Sequence, residues 1–128
     1  MSYTKEQLIQ YRIQRAHESI LEAKLLSESN HWNTTVNRLY YAVYYVVSAY
    51  LIKIEQSPGS HSGTKTLFNQ ELIKSKKLDL DYGKLYNNLF SMRHESDYGD
   101  FQTFTREQVE PYILKTEELL SKIENLLS

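Results

Sequence analysis

The chain has 128 residues, 41% of them hydrophobic and 24% charged, with a formal net charge of −1. That length supports one hydrophobic core with no room for a second domain, and the balance argues against both a disordered chain and a membrane protein. A near-neutral charge removes the global pull toward nucleic acid that strongly basic proteins have, so any such contact has to be local.

The absence of cysteine rules out disulfides, thiolate metal sites and thiol catalysis together. The opening MSYTKEQLIQ lacks the apolar run of a signal peptide, and a cytoplasmic location is expected. Four glycines and two prolines are too few to punctuate many short strands, whereas long helices with few loops need little more. Tyrosine is the outlier at 11 copies, and a buried tyrosine ring brings a hydroxyl that needs a partner.

In chain order, Thr4 and Gln7 form a capping-box pattern that opens a first helix running to about Asn30. Ile9, Ile13, Ala16, Ile20 and Ala23 then recur at steps of four and three, which gives one apolar stripe on an outer helix. The second segment, about Asn33 to Ile54, contains LYYAVYYVVSAYLI. Its valines and tyrosines favour a strand, but the run far exceeds the usual strand of about five or six residues and reads as a central helix packed on nearly every side. It is shorter than the ~20 apolar residues a membrane span needs.

QSPGSHSG, from Gln56 to Gly63, is a loop, followed by a short helix near Thr64 to Ile73. A fourth helix is predicted from an N-cap at Asp79 or Asp81 to about Tyr98 or Gly99, with Leu85, Leu89 and Met92 on one face. Thr105 and Gln108 repeat the capping box for a last helix reaching Leu127, where Pro111 requires either a bend or a start closer to Glu110. The predicted fold is all-α, an up-and-down bundle of about five helices, four long and one short, in a single domain over residues 1–128.

Three constellations carry chemistry. Arg38, Tyr41 and Tyr45 share one helix face, either as an arginine paired or stacked at the entrance of a buried helix, or as an anion site for a bidentate guanidinium. Arg93 and Asp97 are spaced for an ion pair with Tyr98 following. The site alternative sets Arg93 beside Arg38, with Asp97 orienting the guanidinium groups. In SHSGTKTLF, Ser60, His61, Ser62 and Lys65 approach a helix start, where Ser62 or Thr64 caps the helix or the free amides favour phosphate. The spacing is not that of a P-loop.

Metal and cofactor chemistry is not expected. Glu28 and His31 make one Glu-x-x-His, whereas a di-iron bundle needs two. His31 reads as a residue at a helix C-terminus and His17 as a surface histidine.

Arg38 followed by YYAVYY, SHSGTKTLF, DYGKLYNNLF and RHESDYGDF together resemble one branch of the HEPN domain family over most of the chain. The resemblance implies a bundle of long helices plus a short one, commonly dimeric and often encoded beside a minimal nucleotidyltransferase. Several branches are metal-independent ribonucleases acting as toxins or defence effectors. Their activity is tied to an arginine followed after four to six residues by a histidine on a late helix.

The chain departs from that motif. The fifth residue after Arg93 is Tyr98, and His94 is adjacent to Arg93, about 100° round the helix. Arg12 and His17 satisfy the spacing but lie on the first helix. The implied function is a toxin-like or partner component of a nucleotidyltransferase-associated system. It would hold RNA or a nucleotide phosphate through Arg38, Tyr41, Arg93, Asp97, Ser60 and Lys65, as a homodimer, with no membrane contact.

Any cleavage falls to Arg93, Tyr98 and His61. Arginine can stabilise phosphorane charge, tyrosine with a pKa of about 10 is a poor base, and His61 on its loop is better placed than His94. A non-enzymatic helical interaction module with structural arginines is the alternative.

Overall fold

A computed structural model describes residues 2–99 and 102–128. Five α-helices run in the order α1 (Lys5–Glu28), α2 (Trp32–Lys53), α3 (His61–Phe68), α4 (Leu80–Tyr98) and α5 (Arg106–Leu127), and α3 passes directly into a π-helical turn over Asn69–Ile73. There is no strand among the described residues, so the all-α expectation stands.

Side-chain contacts fix the directions. Lys5 meets Glu55 at 3.3 Å, His17 meets Glu124 at 2.9 Å and Lys24 meets Glu117 at 2.6 Å, so α1 runs antiparallel to both α2 and α5. Asn88 donates to the Tyr112 hydroxyl at 3.1 Å where α4 crosses α5. Just before the N-terminus of α5, Asn33 on α2 donates to the Gln102 carbonyl and accepts from the Phe104 amide, both at 2.9 Å. The segment before α5 is thereby pinned to the start of α2.

The core is built on α2. Val36, Leu39, Tyr40, Val43, Val46 and Val47 are fully buried, and Ala16, Ala23, Leu85, Leu89, Leu119 and Ile123 from the other long helices pack around them. Only one stripe of α2 stays half-exposed, through Arg38, Tyr41, Tyr44, Tyr45 and Ser48 at helical steps of three and four.

Both capping boxes form, at Thr4 with Gln7 and at Thr105 with Gln108. Other boundaries differ from those predicted. The cap at Thr105 starts α5 at Arg106, so the start nearer Glu110 is wrong and Pro111 lies inside the helix. The short helix opens at His61 rather than Thr64, because the Ser60 hydroxyl accepts the Gly63 amide at 3.0 Å. Neither Ser62 nor Thr64 is the cap. The Thr64 hydroxyl instead donates to the Ser60 carbonyl at 3.0 Å.

His31 is not within the last turn of α1. It occupies the N-cap position of α2, and its amide closes the end of α1 by donating to the Leu26 carbonyl at 3.0 Å. Asn30 at φ 61° makes that reversal, with its own amide on Ser27, as Schellman endings require. Glu55 at φ 63° repeats the arrangement after α2, through Glu55 to Ile52 and Gln56 to Leu51.

A third left-handed residue, Lys76 at φ 63°, follows the π turn. A Cβ is disfavoured there by about 1 kcal/mol, part of which glycine returns as entropy lost on folding. Lys76→Gly is therefore expected to stabilise the fold by roughly 0.5 kcal/mol, read as a higher urea midpoint at unchanged slope.

The π turn is closed by the Lys74 amide on the Asn69 carbonyl at 2.8 Å. It packs against α4 at Gly83, where a Cβ would come within 3.0 Å of Asn69 Oδ1 and 3.2 Å of Ile73 Cγ1. The missing Cβ lets the two segments approach closely.

Candidate functional site

Tyr41 holds the centre of the half-exposed stripe of α2. The Arg38 guanidinium carbon lies 5.2 Å from its ring centroid, one turn back on the same helix. The Arg93 guanidinium, from α4, lies 5.9 Å from the same ring and 4.7 Å over that of Tyr40. Two arginines far apart in sequence thus meet on one tyrosine. Guanidinium on an aromatic face is a favourable contact, and it holds the planar fork in a fixed attitude.

Each arginine also has polar partners. Arg38 donates from Nη1 to Glu22 at 3.1 Å, and from Nε and Nη2 to the Asn37 side-chain oxygen at 3.1 and 2.9 Å. Arg93 donates from Nη1 to Asp97 at 3.2 Å, while its buried Nε has no partner among the described residues. The guanidinium of Arg93 is 14% exposed as a side chain, so its charge is largely withdrawn from water. Both carboxylates lie at the outer, more exposed side.

His61, the first residue of α3, completes the cluster. Its Nδ1 is 2.7 Å from the Tyr40 hydroxyl, its ring stacks on Tyr44 at 4.5 Å, and Tyr41 meets it edge-on at 5.9 Å. Burial pushes the Tyr40 hydroxyl above the usual phenol range, with the charge of Arg93 opposing, so Tyr40 keeps its proton. Burial, and then the charge of Arg93, push the imidazole below its ordinary value, so His61 is neutral near pH 7. With Tyr40 donating to Nδ1, the ring carries its proton on Nε2 and can offer it to an anion. In the opposite tautomer Nδ1–H would donate to the phenol oxygen and Nε2 would become a base.

This arrangement carries a stability signature. The unfolded imidazole titrates near 6.5 and the folded one lower, so below about pH 6.5 the unfolded chain binds more protons. Stability is unaffected above that pH and falls as the pH drops through the window beneath it. In a series of melts toward acid, the wild type is expected to lose more than His61→Gln. Equal slopes would remove His61 as the origin.

The remaining predicted residues scatter. Tyr98 is 71% exposed and rests against His94, with 4.9 Å between centroids, so the structure does not bring it to the Arg93–His61 cluster. Ser60 is occupied in capping α3. Lys65 lies with Nζ 4.2 Å from the ring centroid of Phe90, whose ring is 6.1 Å from that of Tyr40, which sets the lysine at the margin. Arg12 and His17 are about 140° apart around α1, and His17 pairs with Glu124, so their spacing makes no site. Among the described residues no three of His, Asp and Glu gather as metal ligands.

Sequence reasoning did not single out Tyr40, Tyr44, Asn37 or Glu22. Tyr44 was within reach, being three residues beyond Tyr41 on the same face. The Tyr40–His61 pair was not, because it depends on where α3 docks.

Fold and site together define a class: an up-and-down helical bundle whose arginines stack on the tyrosines of its central helix beside a half-buried histidine. Two guanidinium groups and an imidazole N–H suit a phosphate-like anion. The chain belongs to the HEPN family, whose domain model matches residues 9–126. It is 41% identical to "UPF0332 protein" of Thermotoga maritima, over 96% of this chain and 93% of that one. It is also 30% identical to "Putative toxin MJ0142" of Methanocaldococcus jannaschii, over 90% of this chain and 78% of that one. A second protein of that archaeon, "Putative toxin MJ0605", is 27% identical over 93% and 88% respectively. No helix among the described residues is long and apolar enough to cross a membrane.

Proposed function

We propose that the protein is a toxin-like or partner component of a nucleotidyltransferase-associated system, acting as a cytoplasmic homodimer built from one domain over residues 1–128. In this reading it holds RNA, or a nucleotide phosphate, in the arginine–tyrosine site. The toxin names of its relatives support the class. The observation that carries the ligand is the convergence of Arg38 and Arg93 on the ring of Tyr41, at 5.2 and 5.9 Å. The half-exposed tyrosines beside these arginines offer a stacking surface for a base next to two forks for phosphate.

The same geometry supports binding over cleavage. Cleavage needs a base for the 2′-hydroxyl and an acid for the leaving oxygen. Arg38 and Arg93 would steady the charge on phosphorus but do not give up a proton, and Tyr40 is held protonated. His61 would have to act as base, which requires the tautomer with the proton on Nδ1.

The test is fluorescence anisotropy with single-stranded RNA, run beside a cleavage gel in chelator and light scattering for the dimer. Salt-sensitive binding with slow or no cleavage is the expected result. Absence of binding at low salt would favour the second reading, an interaction module with structural arginines, to which the Arg38–Glu22 and Arg93–Asp97 ion pairs belong. Fast cleavage abolished by Arg93→Ala but kept in His61→Ala would remove His61 from the mechanism.

A further inference from the structure

Four of the chain's five arginines, Arg12, Arg15, Arg38 and Arg93, border the half-exposed stripe of α2. Arg15, from α1, lies 5.3 Å from the ring centroid of Tyr45. Arg12, one turn earlier on α1, lines a recess of about 190 Å³ with Tyr44 and Ser48 of α2 and with Gln56 and Ser57 of the loop before α3. Unlike Arg38 and Arg93, Arg12 has no hydrogen-bond or ion-pair partner among the described residues, and its Nε is buried. The recess offers hydroxyls and an amide beside it, and no carboxylate lines it.

Tyr44 joins the two places. Its ring stacks on His61 at 4.5 Å and forms a wall of the Arg12 recess. From Arg38 to Ser48 the stripe covers about 15 Å of helix. That is the length of about four nucleotides stacked ~3.4 Å apart.

We infer that the Arg12 recess is a second phosphate subsite, and that the substrate is single-stranded RNA laid along α2 rather than a mononucleotide. Its phosphates are held at the Arg38–Arg93 end and again at Arg12, with bases on the tyrosine faces between. This rests on the reading that the Arg38–Arg93 site binds RNA. Single strands suit the stripe because splayed bases stack on aromatic rings without regard to sequence, while arginines follow the backbone. A protein partner would leave Arg12 buried without a carboxylate unless it supplied one, whereas a polyanion supplies the counter-charge at every step.

The test measures affinity for a uridine dinucleotide and for an oligouridylate of about eight nucleotides. The proteins compared are the full chain, Arg12→Ala and Ser48→Glu, with melts to establish that each variant is folded. Ser48→Glu keeps Arg12 and puts a carboxylate in its recess. Both variants are expected to weaken the long oligomer about tenfold and to leave the dinucleotide unchanged. For Arg12→Ala the salt slope should fall by about 0.7.

If the wild type binds the octamer no better than the dinucleotide, or the variants lose both equally, the second subsite is overturned while RNA binding at Arg93 stands. If the wild type binds neither, both readings fail. If either variant alters the oligomeric state in light scattering without a length-dependent loss, the stripe is a contact between protein chains and the inference is overturned.

Discussion

Replacing Arg93 with alanine is expected to lower affinity for single-stranded RNA by about 10- to 100-fold, the loss of one or two charge-assisted hydrogen bonds in a partly desolvated place. The guanidinium lies over Tyr40 at 4.7 Å with only 14% of the side chain exposed, so it meets a phosphate with little water left to displace. Arg93→Lys should recover only part of the affinity, since an ammonium keeps the charge but neither the fork nor the planar stack. The ion pair with the more exposed Asp97 contributes at most ~1 kcal/mol to stability, so the variant should remain folded. Titrations at several salt concentrations check the assignment, because losing one phosphate contact should reduce the slope by about 0.7. A variant that binds as tightly as wild type with the same slope would show that Arg93 is a structural arginine.

How far the sequence reaches can be judged residue by residue. Thr4 with Gln7 and Thr105 with Gln108 are readable because a capping box is settled within four residues by local hydrogen bonds. The long apolar run of α2 is readable because its length decides between helix and strand where propensity misleads. Pro111 misleads in turn, since the Thr105 cap outweighs the one hydrogen bond that proline removes. The ends of the first three helical segments are legible to within two residues, but the left-handed turns at Asn30, Glu55 and Lys76 escape notice because the expected signal is glycine, and these residues take that conformation without it.

In the site, Arg38 with Tyr41 follows from helical spacing, and Arg93 with Asp97 likewise. The meeting of Arg93 with Tyr40, and of Tyr40 with His61, joins residues on different elements. It follows only once α3 and α4 are seated on α2. Tyr98 is singled out by its motif alone, which says nothing of its 71% exposure at the end of α4.

That dependence on docking leads to the second large effect, at a residue that touches no ligand. Phe68 ends α3, is fully buried, and meets Tyr86 edge-on at 5.1 Å. Tyr86 in turn lies 6.3 Å from Tyr40, the partner of His61 at the other end of α3. Both ends of this eight-residue helix therefore rest on one aromatic cluster. A helix this short does not hold itself together in water, so its packing supplies its order. Phe68→Ala should cost about 3–5 kcal/mol, with a fall in Tm of roughly 10 °C or more. Phe68→Leu, which keeps most of the volume, should cost about 1 kcal/mol. Beyond the global loss, amides over residues 61–68 should exchange faster than those of α2 under conditions where the variant is still folded, because α3 releases first. RNA affinity should fall under those same conditions, since His61 and Thr64, which lines the Arg12 recess from α3, move with that helix. If Phe68→Ala keeps wild-type exchange in α3 yet loses affinity, the site is held by something other than the Phe68–Tyr86–Tyr40 contact. If it loses α3 protection with affinity intact, His61 is not part of the binding surface.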